Sequence, residues 1–250
     1  MQAFDAFLGN WRAREPEMEF AEVFCAPSDR ARFRWWGVLL NELLESLHAP
    51  SEPAVAQARL QWWLAELRGA ARQHPVSAMA HECGVGAAPV AEVALAALQL
   101  TGEGRAPRTL ADAMASMDPL AAAIARAEQQ LFDPSVPAPQ LQIAASLVAR
   151  AAFDAGAGRP LGRERMPLDL LARWPLTEPD DASALHRELA VQLLATAGAG
   201  ASGGVLFRRA RTGFDRWRLG RWKAGAPAGR VPPLRALWIA HGAARGAPRP

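Results

Sequence analysis

The chain has 250 residues, a length that fits one large domain or two small ones and is sufficient to bury a hydrophobic core. Half of the residues are hydrophobic and 21% are charged, which is typical of a globular protein that folds in water. The formal net charge of +3 is too small to indicate a polyanionic partner, although the sequence pI is near 9.6.

Cysteine usage and hydropathy predict the compartment. Cys25 and Cys83 are not closely spaced and give no disulfide framework, which favours a reducing compartment. The N-terminus lacks the basic and apolar regions of a signal peptide. The most apolar stretch, residues 87–100, contains Pro89 and Glu92 and is too short to cross about 30 Å of hydrocarbon. We therefore expect a cytoplasmic protein that is able to bind at the periphery of a membrane.

Helical periodicity dominates the first third of the chain. A helix is predicted from Ser28 to His48, with Ser28 as its N-cap and apolar residues at three- and four-residue spacing. Pro50 ends that helix, and a second is predicted from Glu52 to Gln73 with Pro53 in its first turn. The short connection predicts that the two helices pack as an antiparallel hairpin.

The rest of the chain continues the helical pattern. No stretch alternates apolar and polar residues for long enough to predict a strand. The expected fold is therefore all-α, with residues 1–204 as a single helical domain and residues 205–250 as a basic C-terminal segment packed on it. Further helices are predicted at residues 87–100, 109–131, 138–154, 167–173, 181–197 and 234–244.

Several motifs in the first two thirds of the chain resemble a known family. The pattern resembles the squalene and phytoene synthases, a family of trans-isoprenoid synthases, and is especially similar to a divergent branch that includes mitochondrial complex I assembly factors. The resemblance implies an isoprenoid synthase fold over roughly residues 20–175. The motifs are Phe24 to Pro27, Arg30, Asn41-Glu42-Leu43-Leu44-Glu45, Arg59-Leu60-Gln61-Trp62-Trp63, His74-Pro75 and the stretch Gln142 to Leu171.

In that family, two aspartate-rich motifs bind the magnesium that draws off diphosphate when two prenyl diphosphates condense head to head. Magnesium prefers oxygen ligands, usually one or two carboxylates together with phosphate oxygens. Here the first motif reads Asn41 to Glu45, which keeps two carboxylates, each one methylene longer. At the second motif, Leu147 and Ala151 replace an asparagine and an aspartate, and only Arg150 and Asp154 remain. We therefore expect a non-catalytic relative, with magnesium as a cofactor only if transferase activity persists.

The resemblance assigns five residues to substrate binding: Arg30, Trp62, Trp63, Arg150 and Asp154. Each has a structural alternative. Arg150 and Asp154, four residues apart, can pair with each other instead of contacting a diphosphate. Trp62 and Trp63 are expected to fill the core, with the lining of a prenyl channel as the alternative.

The candidate metal ligands also have structural alternatives. Asn41, Glu42 and Glu45 form the degenerate first motif, which is otherwise a solvated or salt-bridged helix face. His74, His81 and Cys83 are near one another in sequence, but their spacing matches no zinc site. Residues 198–203 fit Gly-x-Gly-x-x-Gly, yet no strand is predicted before them, so a linker is the better interpretation.

The basic segment at residues 205–223 indicates an anionic partner. Arg208, Arg209, Arg216 and Arg218 alternate with aromatic residues. Such a mixture is typical of a helix on anionic lipid and of single-stranded nucleic-acid binding, and the alternative is a packed helix with a basic outer face. We expect this segment to be the surface that meets an anionic membrane, and a nucleic-acid partner is the weaker expectation.

These observations together predict a non-catalytic protein that binds a lipid, a prenyl chain or a protein partner. The alternative is an active prenyl-diphosphate transferase.

Overall fold

A computed structural model describes residues 2–69, 74–102, 106–156, 166–177, 180–198 and 203–246. These residues form twelve α-helices and no strand, so the all-α prediction is confirmed for the part of the chain that is described. The helices are α1 (Gln2–Arg14), α2 (Met18–Glu22), α3 (Arg30–His48), α4 (Pro53–Leu67), α5 (Pro75–Glu82), α6 (Ala87–Leu100), α7 (Leu110–Phe132), α8 (Gln140–Gly156), α9 (Leu168–Arg173), α10 (Asp181–Thr196), α11 (Leu206–Lys223) and α12 (Pro233–Arg245).

The predicted start of α3 and the predicted end of α4 differ from the structure. Ser28 is not an N-cap, because Pro27–Asp29 form a 3₁₀ turn and Asp29 stands at the start of α3 without a side-chain cap. Helix α4 ends at Leu67, before the predicted end at Gln73, since Gly69 follows with φ 88° and leaves the helical conformation. Residues 70–73 lie outside the described part of the chain.

Helix α3 is the central helix of the N-terminal half. It packs against α1, α4, α5 and α6, and it is apolar on most of its circumference. Trp35 and Trp36 are fully buried, and their indole N–H groups donate to Val76 O at 2.7 Å and to Glu128 Oε1 at 3.0 Å. The predicted contact between α3 and α4 is present, so these two helices belong to one folded unit.

Helices α4, α6, α7 and α8 pack in succession, and small residues make the close approach possible. Ala94, Ala97, Ala121 and Ala125 are among the buried alanines on α6 and α7. Helix α7 begins with a capping box, in which Thr109 Oγ1 accepts from the Asp112 N–H at 3.2 Å.

Helix α11 completes the core from the C-terminal side. It packs against α2, α8, α10 and α12, and its Phe207 contacts Phe33 with ring centroids 5.0 Å apart. The buried apolar residues from Phe4 to Ala240 form one cluster. No described helix is both long enough and apolar enough to cross a bilayer.

Candidate functional site

The first motif, on α3, forms an ion pair with α1. Glu45 forms an ion pair with Arg14, whose Nη1 also donates to Asn41 Oδ1 at 3.5 Å. The amide of Asn41 donates to Glu42 Oε1 at 3.4 Å. Burial raises the pKa of Glu42, although Asn41 and Arg14 act in the opposite direction. A guanidinium group thus supplies the positive charge at this motif, where the family's chemistry calls for a metal ion.

At the second motif, on α8, Arg150 has partners that sequence spacing did not predict. Its Nη1 lies 2.7 Å from Glu15 Oε1, and its Nε donates to Asp215 Oδ2 at 3.1 Å. Burial lowers the pKa of Arg150, but Asp215 and Glu15 outweigh it and leave the pKa well above its ordinary value. The Asp154 side chain, the predicted partner, lies outside the described residues. Arg150 is therefore a buried side chain that forms ion pairs with two carboxylates.

Arg150 belongs to a larger set of buried charges, which we call the arginine network. It comprises Glu15 and Glu17 between α1 and α2, Ser146 and Arg150 on α8, and Arg211, Asp215 and Arg218 on α11. Three carboxylates face three guanidinium groups, so the formal charges balance. The network joins the first two helices to α8 and α11.

The charged side chains of the arginine network form ion pairs of unequal length. Arg211 Nη2 lies 2.6 Å from Glu15 Oε1, and Arg218 Nη1 lies 3.4 Å from Asp215 Oδ1. Arg218 also pairs with Glu17. Burial raises the pKa of Glu15, but the neighbouring arginines lower it by more. The pKa therefore lies below the ordinary value of a glutamate. Burial and the nearby Arg150 lower the pKa of Arg211 to about 10, which leaves it charged at neutral pH.

The predicted membrane surface on α11 is wrong for three of its four arginines. Arg208 is 2% exposed and binds Glu128, with Nε 3.0 Å from Oε2, while Arg209 is 6% exposed and donates to Ala243 O at 2.6 Å. Arg218 belongs to the arginine network. Arg216 is half-buried, and its Nη2 donates to Gly198 O at 2.7 Å. Arg208, Arg209 and Arg218 point inward because α11 packs against α2, α8, α10 and α12.

Trp62, Trp63 and His74 form an aromatic cluster. The His74 ring meets both indoles edge-on, with centroids 5.4 Å and 4.7 Å away. Its Nδ1 accepts from the Val76 N–H at 3.3 Å, and burial lowers its pKa against the opposing effect of Glu66. Trp63 is buried whereas Trp62 is 46% exposed. This cluster fixes the junction between α4 and α5, which favours a structural role for the Trp-Trp and His-Pro motifs.

The sequence-predicted substrate residues do not converge in the described structure. Arg30 is exposed, and its Nε donates to Cys25 O at 3.3 Å. No hydrogen bond, ion pair or ring contact among the described residues joins Arg30 or Trp62 to Arg150. Within the same ranges, no three His, Cys, Asp or Glu side chains, His81 and Cys83 included, approach one point as metal ligands would. Residues 199–202 of the glycine motif are outside the described part.

A pocket of about 410 Å³ lies where α8, α10 and α11 meet the loop at residues 225–229. We call it the aromatic pocket. Its walls include Phe153, Ser183, His186 and Trp222. His186 stacks on Trp222 with centroids 4.1 Å apart and an interplanar angle of 7°, and Phe153 lies 4.6 Å from the same indole. Burial lowers the pKa of His186, which favours a neutral ring in the stack.

Arginines border the aromatic pocket. Arg218 Cζ lies 5.8 Å from the Phe153 ring centroid. Gly225 has φ 74°. A Cβ at this position would lie 2.8 Å from Nη2 of Arg187, so the guanidinium group lies against the loop backbone. Sequence reasoning missed this pocket because its residues come from three helices and a loop. The pair of glycines around Ala-Pro-Ala at residues 225–229 was the one local signal.

Comparison of the chain with known protein families, with curated proteins and with solved structures found no match in any of the three. The resemblance to squalene and phytoene synthases therefore stays a prediction from the sequence motifs. The ion pairs at the two motifs and the aromatic pocket are features of this chain's own geometry.

Proposed function

We propose that this protein is a non-catalytic relative of the squalene and phytoene synthases, with an isoprenoid synthase fold, that binds a lipid or a prenyl chain. The observation that carries the proposal is the ion pairing at both motifs, where Arg14 meets Glu45 and Arg150 meets Glu15 and Asp215. Arg14 pairs with Glu45, a carboxylate that a catalytic relative would offer to magnesium, and Arg150 of the second motif pairs with carboxylates from outside both motifs.

The chemistry of diphosphate release explains why this pairing matters. A metal ion stabilises the charge that develops on the leaving oxygens, and it needs carboxylate oxygens that are free to coordinate it. In the arginine network, every carboxylate already contacts a guanidinium group, and the formal charges of the network cancel. The pairing of Glu45 with Arg14 and the charge balance around Arg150 support a protein without the family's magnesium cluster. Leu147 and Ala151, both buried, add no ligand at the second motif.

The aromatic pocket supports the binding part of the proposal. Its volume of about 410 Å³ falls within the roughly 300–1,000 Å³ of small-molecule sites. The aromatic side chains of Phe153 and Trp222 in its wall suit the apolar isoprene units of a prenyl chain. The guanidinium group of Arg187, which lies against Gly225 of the pocket wall, suits a negatively charged or hydroxylated head group.

The catalytic part is tested with the purified protein, magnesium and farnesyl or geranylgeranyl diphosphate. We expect no pyrophosphate release above that of a blank without protein. Losing one charge-stabilising group typically lowers a rate by about 10²–10³, and two metal-directed residues are replaced here. Robust magnesium-dependent release that Glu42→Gln abolishes would overturn the proposal in favour of a prenyl-diphosphate transferase.

The binding part is tested by isothermal titration calorimetry with farnesol and farnesyl diphosphate. Ser183→Phe places a ring in the aromatic pocket and should weaken binding at least about tenfold, which corresponds to about 1.4 kcal/mol. Ala182→Phe is the matched control, because Ala182 is the exposed neighbour on α10 and does not line the pocket. Binding that is equal in all three proteins, or absent in the unmodified one, would contradict the assignment of the site.

A further inference from the structure

Helix α12 exposes its large apolar side chains and buries its small ones. Leu234 is 84% exposed, Trp238 is 64% exposed and Leu237 is 41% exposed. Their spacing of three and four residues places them on one face of the helix. Ala236 and Ala240 are fully buried, where α12 packs against α2 and α11. An ordinary surface helix buries its large apolar side chains. Packing within this protein therefore does not explain why the large apolar residues of α12 are exposed.

The exposed region continues beyond α12. His241, one turn after Trp238, contacts Phe24 with ring centroids 5.6 Å apart. Val23, next to Phe24 in the chain, is 63% exposed. We call Leu234, Leu237, Trp238 and Val23 the α12 face.

The segment of the chain that carries α12 has charge of one sign, and Glu19 and Glu22 of the neighbouring α2 are paired with Arg12. Asp215 is the last acidic residue of the chain, and eight basic residues follow it. The Arg235 guanidinium lies over the Trp238 ring, with Cζ 4.6 Å from the centroid. The basic residues that the structure shows as exposed in this part of the chain are Arg221, Lys223, Arg230, Arg235 and Arg245. Their positive charge is complementary to a negatively charged surface.

We infer that the α12 face is a membrane-docking surface that inserts Leu234 and Trp238 among the head groups of an anionic lipid bilayer. Tryptophan and leucine flanked by arginine are the side chains of helices that lie in the membrane interface. Thirteen residues make a helix of about 20 Å, which suits a helix lying along the surface. This inference stands on α12 and does not depend on the aromatic pocket.

Lipid explains the α12 face better than nucleic acid does. Single-stranded nucleic acid stacks its bases on aromatic rings. The most exposed large apolar residue here is Leu234, an aliphatic side chain that gives no stacking surface but enters an acyl-chain boundary readily. We expect the guanidinium group of Arg235, which lies over Trp238, to contact the lipid phosphates when Trp238 is inserted.

The test is co-sedimentation of the full-length protein with vesicles of phosphatidylcholine alone and of phosphatidylcholine with phosphatidylserine. We expect binding to the anionic vesicles that weakens as salt is raised. Leu234→Ser with Trp238→Ser should weaken it at least about tenfold, since two apolar side chains lose their burial. Arg235→Gln with Arg245→Gln should weaken binding and flatten its salt dependence. The matched controls are Val191→Ser and Leu141→Ser, at residues 44% and 52% exposed on other helices, which should bind like the unmodified protein.

Several outcomes would overturn the inference. One is the absence of binding to anionic vesicles at low salt, and another is equal loss of binding in the control variants. A third is gel filtration that shows a dimer which Trp238→Ser converts to a monomer, since the α12 face is then an interface between copies. A fourth is binding to single-stranded RNA that depends on Trp238, in a protein that does not bind anionic vesicles. The partner of the α12 face would then be a nucleic acid.

Discussion

Glu128 lies in the core, where α11 brings Arg208 to its carboxylate and α3 brings the indole N–H of Trp36. Removing one charge of such a pair leaves the other buried without compensation. We expect Glu128→Gln to lower the free energy of unfolding by about 3–5 kcal/mol, measured by urea unfolding with circular dichroism. Asp169→Asn is the control, because its ion pair with Arg173 is exposed and contributes about 1 kcal/mol or less. Similar losses in the two variants would show that Arg208 does not need the Glu128 charge.

His186 gives the stability a dependence on pH. Burial lowers its pKa in the folded state, so the unfolded chain binds the proton more readily. Neutral His186 therefore contributes fully to the free energy of unfolding above the ordinary histidine pKa. This contribution is lost as the pH falls below that value. His74, whose pKa is also lowered, acts in the same direction, whereas Glu42, whose pKa is raised, acts in the opposite direction at more acidic pH.

We expect the free energy of unfolding to fall between about pH 7.5 and 5.5, a window that brackets the ordinary histidine pKa. His186→Gln should flatten this decrease, although losing the stack on Trp222 lowers stability at every pH. Urea unfolding across the window measures the slope, and the same substitution at the exposed His81 is the control. An unchanged slope in His186→Gln would contradict the assignment.

At the scale of elements, Gly37 determines how closely α1 approaches α3. A Cβ at this position would overlap the indole ring of Trp11, which is itself 2% exposed. Gly37→Ala should therefore lower the free energy of unfolding by about 1–3 kcal/mol or more through overpacking. Gly9→Ala, on α1 with open space around it, should raise stability by about 0.5–1 kcal/mol because alanine is the better helix former. Thermal unfolding of the two variants measures whether each substitution raises or lowers the stability. An unchanged stability in Gly37→Ala would mean that α1 can move away from α3.

Local sequence signals predicted most of the elements. The bounds of α6 agree with the prediction, and the N-terminus of α7 follows from the capping box of Thr109. Helices α1, α2 and α5 were not predicted, because contacts with residues far away in the chain stabilise them. The packing of Trp11 of α1 against Gly37 of α3 is an example. The site was harder to predict for the same reason. Arg150 bonds Glu15 and Asp215, which lie 135 and 65 residues away in the chain, and no spacing rule reaches so far.

The arginines of α11 show the same limit. From composition alone, a run of arginines and aromatics predicts a surface, because buried charge is rare. The structure buries Arg208 and Arg211 by supplying Glu128 and Glu15 from other helices. The sequence pattern could not distinguish a guanidinium group that faces solvent from one that neutralises a distant carboxylate.

For the whole molecule, the arginine network ties the first helices to the last. Glu15 pairs with Arg211, and Glu17 pairs with Arg218. Since the buried apolar residues also form one cluster, we expect a single cooperative unfolding transition. Near- and far-ultraviolet circular dichroism should give the same urea midpoint. Glu15→Gln with Glu17→Gln should unfold in one step at lower urea, and separate transitions would indicate that the C-terminal segment folds independently.

The pairing of Glu15 with Arg211 also has a consequence for synthesis on the ribosome. The two residues are 196 positions apart, and translation at about 5–20 residues per second separates their appearance by about 10–40 s. During that interval α1 and α2 have been made, while the guanidinium groups that neutralise Glu15 and Glu17 from α11 have not. The side chains of Glu15 and Glu17 therefore stay without these partners until α11 has left the ribosome.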